Sequence, residues 1–163
     1  MGRQPTLLSS CALATTAAEA RYRISGPEFT RRSSRVIALD EQAAAVVRVM
    51  AGQSWRGGHF LVFDSAVPDD ALLRSVAGGT ALLSEELDGA DTVVMIATAG
   101  ANAEAASIIG DACAARAIMS AGLVVSGAGP VDEVVSALRP NAMVLVVLQD
   151  VADVPEVLSA LRV

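Results

Sequence analysis

The chain of 163 residues contains no lysine; all 12 of its basic residues are arginine. That absence removes Schiff-base chemistry, the lysine of a Walker A phosphate loop and any lysine general base from what this chain can do. Cysteine is nearly as scarce. Neither Cys11 nor Cys113 has a second cysteine at the short spacing that a zinc site or a redox pair requires, a usage that fits a reducing, cytoplasmic setting. The single histidine, His59, stands just ahead of a strand-like run, and no serine is identified that would complete a triad with it. A strand-to-helix Gly-x-Ser-x-Gly elbow is missing too. No apolar run approaches the ~18 residues of a membrane span.

Aromatic residues make up only 3% of a chain that is 53% hydrophobic. Core volume must therefore come from Ala, Val, Leu and Ile, a mix suited to a sheet covered on both faces. So high an apolar fraction in a short chain also leads us to expect a homo-oligomer, with part of that surface buried between subunits. The net charge of −6 and the lack of a basic stripe argue against nucleic acid and anionic membranes as partners. The one basic cluster, Arg31, Arg32 and Arg35, reads as a solvated lead-in to the first strand.

Residues 1–34 show no clean hydrophobic period and read as an N-terminal extension, partly disordered or loosely attached. Within them Leu8-Ser9-Ser10-Cys11 has the look of a lipoprotein cleavage box, but the stretch before the cysteine is too short and too polar for a signal peptide. Residues 35–163 read as a single α/β domain.

Five aliphatic runs follow one another there, each closed by small or polar residues and then by a helix-like segment. They are Val36–Leu39, Phe60–Phe63, Thr92–Ala97, Leu123–Ser126 and Met143–Leu148. Alternation of this kind predicts βαβ units and a three-layer, Rossmann-like domain with a mostly parallel sheet of about five strands. After the second run, Pro68 followed by Asp69 and Asp70 reads as a helix start. Gly78-Gly79 then interrupts the segment before the third run, which holds either two short helices or a helix and an extra edge strand.

Right-handed crossovers bring the carboxyl ends of parallel strands to one edge, where ligands of such sheets bind. The candidate binding residues at that edge are Asp40, Asp64, Ser65, Thr98, Gly100, Asn102, Ser126 and Gly127. Thr98-Ala99-Gly100-Ala101-Asn102 is small and uncharged and leads into a helix, so its N–H groups could hold a phosphate or carboxylate. A tight turn with Asn102 as N-cap satisfies the same N–H groups and is the preferred account. Ser126-Gly127-Ala128-Gly129-Pro130 suits an anion less, because Pro130 lacks an N–H and Asp132 and Glu133 occupy the start of the next helix. Asp40, Asp64 and Asp150 could gather Mg²⁺ as in response-regulator receivers, but those families add a lysine that this chain lacks; helix capping is the simpler reading, and no metal site is assigned.

The segment Leu87-Asp88-Gly89-Ala90-Asp91-Thr92-Val93-Val94-Met95-Ile96-Ala97 resembles the central strand and its approach in Rossmann-type proteins. The resemblance implies the fold and nothing about chemistry. The first run exits through Asp40-Glu41-Gln42, without the Gly-x-Gly-x-x-Gly that a dinucleotide would require. An ordinary NAD-dependent dehydrogenase is therefore not expected, and no cofactor is specified.

Three functional expectations remain: a small-molecule-binding domain taking an anionic or nucleotide-like ligand; a non-catalytic structural or regulatory subunit acting through oligomerisation; and an enzyme of unidentified class using a strand-end aspartate, Asp64 or Asp40.

Overall fold

In the computed structural model, residues 32–100, 102–127 and 129–163 are described. The chain alternates strands and helices from Ser34 onward: β1 (Ser34–Ala38), α1 (Glu41–Ala51), β2 (Gly58–Val67), β3 (Asp70–Ser75), β4 (Thr80–Leu82), α2 (Leu83–Leu87), β5 (Thr92–Ala97), α3 (Ala103–Ala115), β6 (Met119–Val125), α4 (Asp132–Leu138), β7 (Val144–Leu148) and α5 (Val154–Ala160). A 3₁₀ turn, Val151–Asp153, precedes α5. The seven strands form one sheet in the order β4-β3-β2-β1-β5-β6-β7. The run β2-β1-β5-β6-β7 is parallel, whereas β3 and β4 pair antiparallel at one margin.

The sheet is thus mixed and larger than the five strands read from the sequence. The difference lies in residues 64–82. Instead of closing at Asp64-Ser65, β2 continues to Val67, and Pro68-Asp69 forms a hairpin turn in which Val67 pairs with Asp70. Proline ahead of a residue with φ of +60°, here Asp69, is the signature of a type II turn. The helix expected to open at Pro68 is therefore β3, in which Ala71 and Leu73 are buried and Arg74 is exposed. Gly78 and Gly79, both at positive φ, turn the chain again into β4, so the segment holds two extra strands and then the short helix α2, in place of two short helices or of a helix with one extra edge strand.

Two apolar clusters sandwich the central strands. Val36, Ala38, Val94 and Ile96 pack with Ala43, Val47 and Met50 of α1 and with Val154 and Leu158 of α5. Ile37, Val93 and Met95 pack on the opposite face with Leu83 and Leu87 of α2, Ala105 and Ile109 of α3, and Val134 and Leu138 of α4. β1 and β5 are buried at every position, which explains the aliphatic runs Val36-Ile37-Ala38 and Val93-Val94-Met95-Ile96-Ala97 within them. No helix among the described residues is long and apolar enough to cross a membrane.

One charged residue departs from its sequence reading. Arg35 lies inside β1, only 5% exposed, so it is no solvated lead-in. Its Nε donates to the Glu86 carbonyl at 2.7 Å and pairs with the Glu86 carboxylate at 3.0 Å. Arg31 lies outside the described residues, and Arg32 is exposed.

Candidate functional site

Strand order reverses between β1 and β5, because the chain runs from β1 to β2 on one side and returns to β5 on the other. The loops leaving these two strands flank the crevice in which open α/β sheets bind ligands. Leu39 N–H donates to the Ile96 carbonyl at 2.9 Å, holding the two strands together up to the point where they part.

Asp40 sits at that point and has two structural tasks. Its Oδ1 accepts from Ala43 N–H (2.8 Å), which caps α1, and from the Thr98 hydroxyl (2.7 Å); its Oδ2 accepts from Thr98 N–H (2.7 Å). One carboxylate therefore caps a helix and clamps the β5 exit onto the β1 exit. Charge-assisted bonds of this length are stronger than neutral ones, so the geometry of the crevice floor is fixed. Thr98 is buried by the same contacts.

Asn102 caps α3: its Oδ1 accepts from Glu104 N–H at 3.0 Å and from Ala105 N–H at 3.2 Å. Between the clamp and the cap, Gly100 is exposed, and a Cβ placed on it would meet nothing within 4 Å. The neighbouring loop after β6 is pinned from the other side, where Ser126 donates to the Leu148 carbonyl through both its N–H (2.8 Å) and its hydroxyl (3.1 Å). Gly127 follows, exposed and at φ of +51°, a left-handed conformation that glycine adopts without steric cost. A Cβ built on Gly129 would lie 4.0 Å from that of Ala99, so the two glycine loops run side by side.

The structure thus brings Asp40, Thr98, Gly100, Asn102, Ser126 and Gly127 to one edge, with Asp40 and Thr98 in direct contact. Asp64 and Ser65 follow the last residue of β2 paired with β1 and continue into the β2–β3 hairpin. Asp64 stands at the register shift between Phe63 and Ser65 and pairs with Arg74 at 3.5 Å. Asp150 caps the 3₁₀ turn, accepting from Ala152 N–H at 2.9 Å. Among the described residues no group of three or more His, Cys, Asp or Glu side chains is arranged to hold a metal ion.

The electrostatics of this edge are acidic. Glu41, Glu104, Asp132 and Glu133 occupy the first turns of α1, α3 and α4, where they complement the helix dipoles and oppose a multiply charged anion.

Sequence reasoning missed a polar cluster at the opposite, amino edge. Glu86 receives the buried Arg35 and, 3.2 Å away, Nδ1 of the exposed His59. Beside this cluster lies an open groove of about 560 Å³ whose lining includes Trp55, His59, Ser75, Gly79, Thr80 and Glu86. Trp55 is committed to the fold, since its Nε1–H donates to the Met50 carbonyl at 2.6 Å and its ring packs against Phe60. The spacing Arg35-x₅₀-Glu86 carries no sequence signal, so only the sheet register, with Arg35 opposite His59, could have revealed it. Cys113 is buried and unpaired, and burial pushes its thiol up to about 11, which disfavours the reactive thiolate.

No protein-family model matches the chain, and no curated protein or solved structure matches it significantly.

Proposed function

We propose that the chain is a three-layer, Rossmann-like domain that binds a small anionic or nucleotide-like ligand at the carboxyl edge of its sheet and carries no catalytic constellation of its own. Thr98, Gly100, Asn102, Ser126 and Gly127 line the site, and Asp40 holds its floor. One observation carries this reading: at the strand-order reversal the Asp40–Thr98 clamp fixes the loops, while Gly100 leaves open space directly above them. Exposed glycine backbone beside a fixed strand exit suits recognition by main-chain N–H groups. The acidic first turns around the site favour a ligand that presents a single negative charge.

A cytoplasmic setting and the absence of a nucleic-acid partner belong to the same proposal, supported by the net charge of −6 and by the free, buried Cys113. The enzymatic alternative finds less support, because both oxygens of Asp40 are engaged by three donors and Asp64 is paired with Arg74. A structural or regulatory subunit is the stronger second reading, favoured by the apolar margin strand β7, where Val144 and Val147 are exposed.

The test is native mass spectrometry of the freshly purified chain and of its Gly100→Leu variant. Open space at Gly100 means that the variant should fold and melt like the parent. Extra mass on the parent that is lost on denaturation, and missing from the variant, supports the reading. Equal retention by both variants, or no ligand on the parent and none captured from a panel of nucleotides and carboxylates, overturns it.

A further inference from the structure

We propose that β7 is a self-association edge, and that two copies of this chain pair their β7 strands antiparallel about a two-fold axis to form one continuous sheet. The first argument is exposed surface. Five large apolar residues are exposed among the described residues, and four of them, Met143, Val144, Val147 and Val151, lie on β7 or within three residues of it. The second is the lack of protection. Edge strands are normally blunted by charge, proline or bulges, yet no charged residue occurs from Pro140 to Gln149, and β7 contains no proline. At the other margin of the sheet β4 is three residues long and runs directly into α2.

Backbone direction supplies the third argument. The Leu148 carbonyl faces the sheet, where it accepts from Ser126 N–H at 2.8 Å. By the alternation of a strand, Val144 and Val146 also face β6, and Leu145 and Val147 turn their N–H and C=O groups outward. A two-fold axis at Val146 then makes Leu145 of each copy a doubly hydrogen-bonded pair with Val147 of the other.

Charge selects the occupant and the direction. β7 is preceded by the exposed Arg139 and followed by the exposed Asp150 and Asp153. Antiparallel pairing about Val146 brings the Arg139 end of each copy to the Asp153 end of the other, whereas parallel pairing would set arginine beside arginine. The strand itself is uncharged, so two chains of net charge −6 can meet there without local repulsion. A five-residue edge covers less than the ~1,600 Å² of a standard interface, so the dimer is reversible.

Sedimentation velocity of the full chain across a concentration series tests this, with Val147→Pro and Val147→Lys as variants. Proline at 147 removes an outward N–H and no bond to β6, so the fold is kept. The expected result is a parent that shifts from monomer to dimer with concentration, and variants whose association is about tenfold weaker or more at unchanged circular dichroism. A parent that stays monomeric throughout, or folded variants that dimerise like the parent, overturns the proposal. Should Val147→Pro fail to fold, the Val147→Lys result decides alone. Ligand mass in the native spectrum is independent of this outcome.

Discussion

At the scale of single residues, carboxylates in this chain act mainly as joints. Asp40 links two strand exits, and Asp70 does similar work at the far side of the sheet. It accepts from the Ser84 hydroxyl (2.6 Å), from Ala71 N–H (2.8 Å) and from Ser84 N–H (3.2 Å), tying β3 to the start of α2. Partial burial pushes its carboxyl up, but these three bonds and the charge of Arg116 outweigh that and hold it below the ordinary 3.8. A depressed carboxyl contributes stability that is present above its unfolded pKa and lost as pH falls through the lower folded value. Ser84→Ala removes the shortest of these bonds. It should cost on the order of 1 kcal/mol or less near pH 6, reduced by the partial exposure of the carboxylate, and the deficit should shrink in acid, at pH values below the ordinary 3.8, as Asp70 protonates. Urea unfolding of both proteins in the two pH ranges measures it, and a deficit that does not change with pH would assign the loss to packing.

At the scale of elements, the strongest sequence signals were the ones buried on both faces. β1 and β5 were legible because all their side chains are in the core. The hairpin of β2 and β3 was not, because Pro68-Asp69-Asp70 is also a good helix opening and the three apolar residues Ala71-Leu72-Leu73 show no alternation; only the burial does, with Ala71 and Leu73 in the core and Leu72 and Arg74 more exposed. Gly110 shows the same limit inside a correctly read helix. On propensity alone, Gly110→Ala in the middle of α3 should gain ~1 kcal/mol. In the structure a Cβ there would lie 2.6 Å from Cβ and 3.0 Å from Cα of Asn141, whose amide is itself held by the Ala137 carbonyl at 2.9 Å. Backbone cannot yield as a flexible side-chain tip can, so overpacking by ~1–3 kcal/mol exceeds the gain. Gly110→Ala should therefore lower the unfolding free energy by about 1 kcal/mol, and a rise in the urea midpoint would show that the Pro140–Met143 turn moves aside.

At the scale of the molecule, the sequence showed which edge would carry the candidate residues but not how they would be arranged. Parallel βαβ units deliver strand ends to one edge whatever the strand order, so Asp40, Thr98, Asn102 and Ser126 could be placed there from pattern alone. The Asp40–Thr98 clamp depends on β1 and β5 being neighbours, and the Arg35–Glu86–His59 cluster depends on β1 lying beside β2; both facts belong to strand order, which local pattern does not encode. The same order fixes a gradient of stability. Among the described residues β1 and β5 are central and inaccessible, whereas β7 pairs with a strand on one side only, and β3 with β4 forms an antiparallel margin. Hydrogen exchange should follow that gradient. Amides of β5 should open only with global unfolding, and those of β4 and the inward amides of β7 should exchange faster by roughly two orders of magnitude through local opening. In dilute solution Leu145 and Val147, whose N–H groups point outward, should show almost no protection. Their exchange should slow as protein concentration rises while that of β4 stays constant, because only the β7 edge gains a partner. Uniform protection across the sheet would mean that it opens as one unit, and concentration-independent exchange at Leu145 and Val147 would leave β7 as a true margin of the molecule.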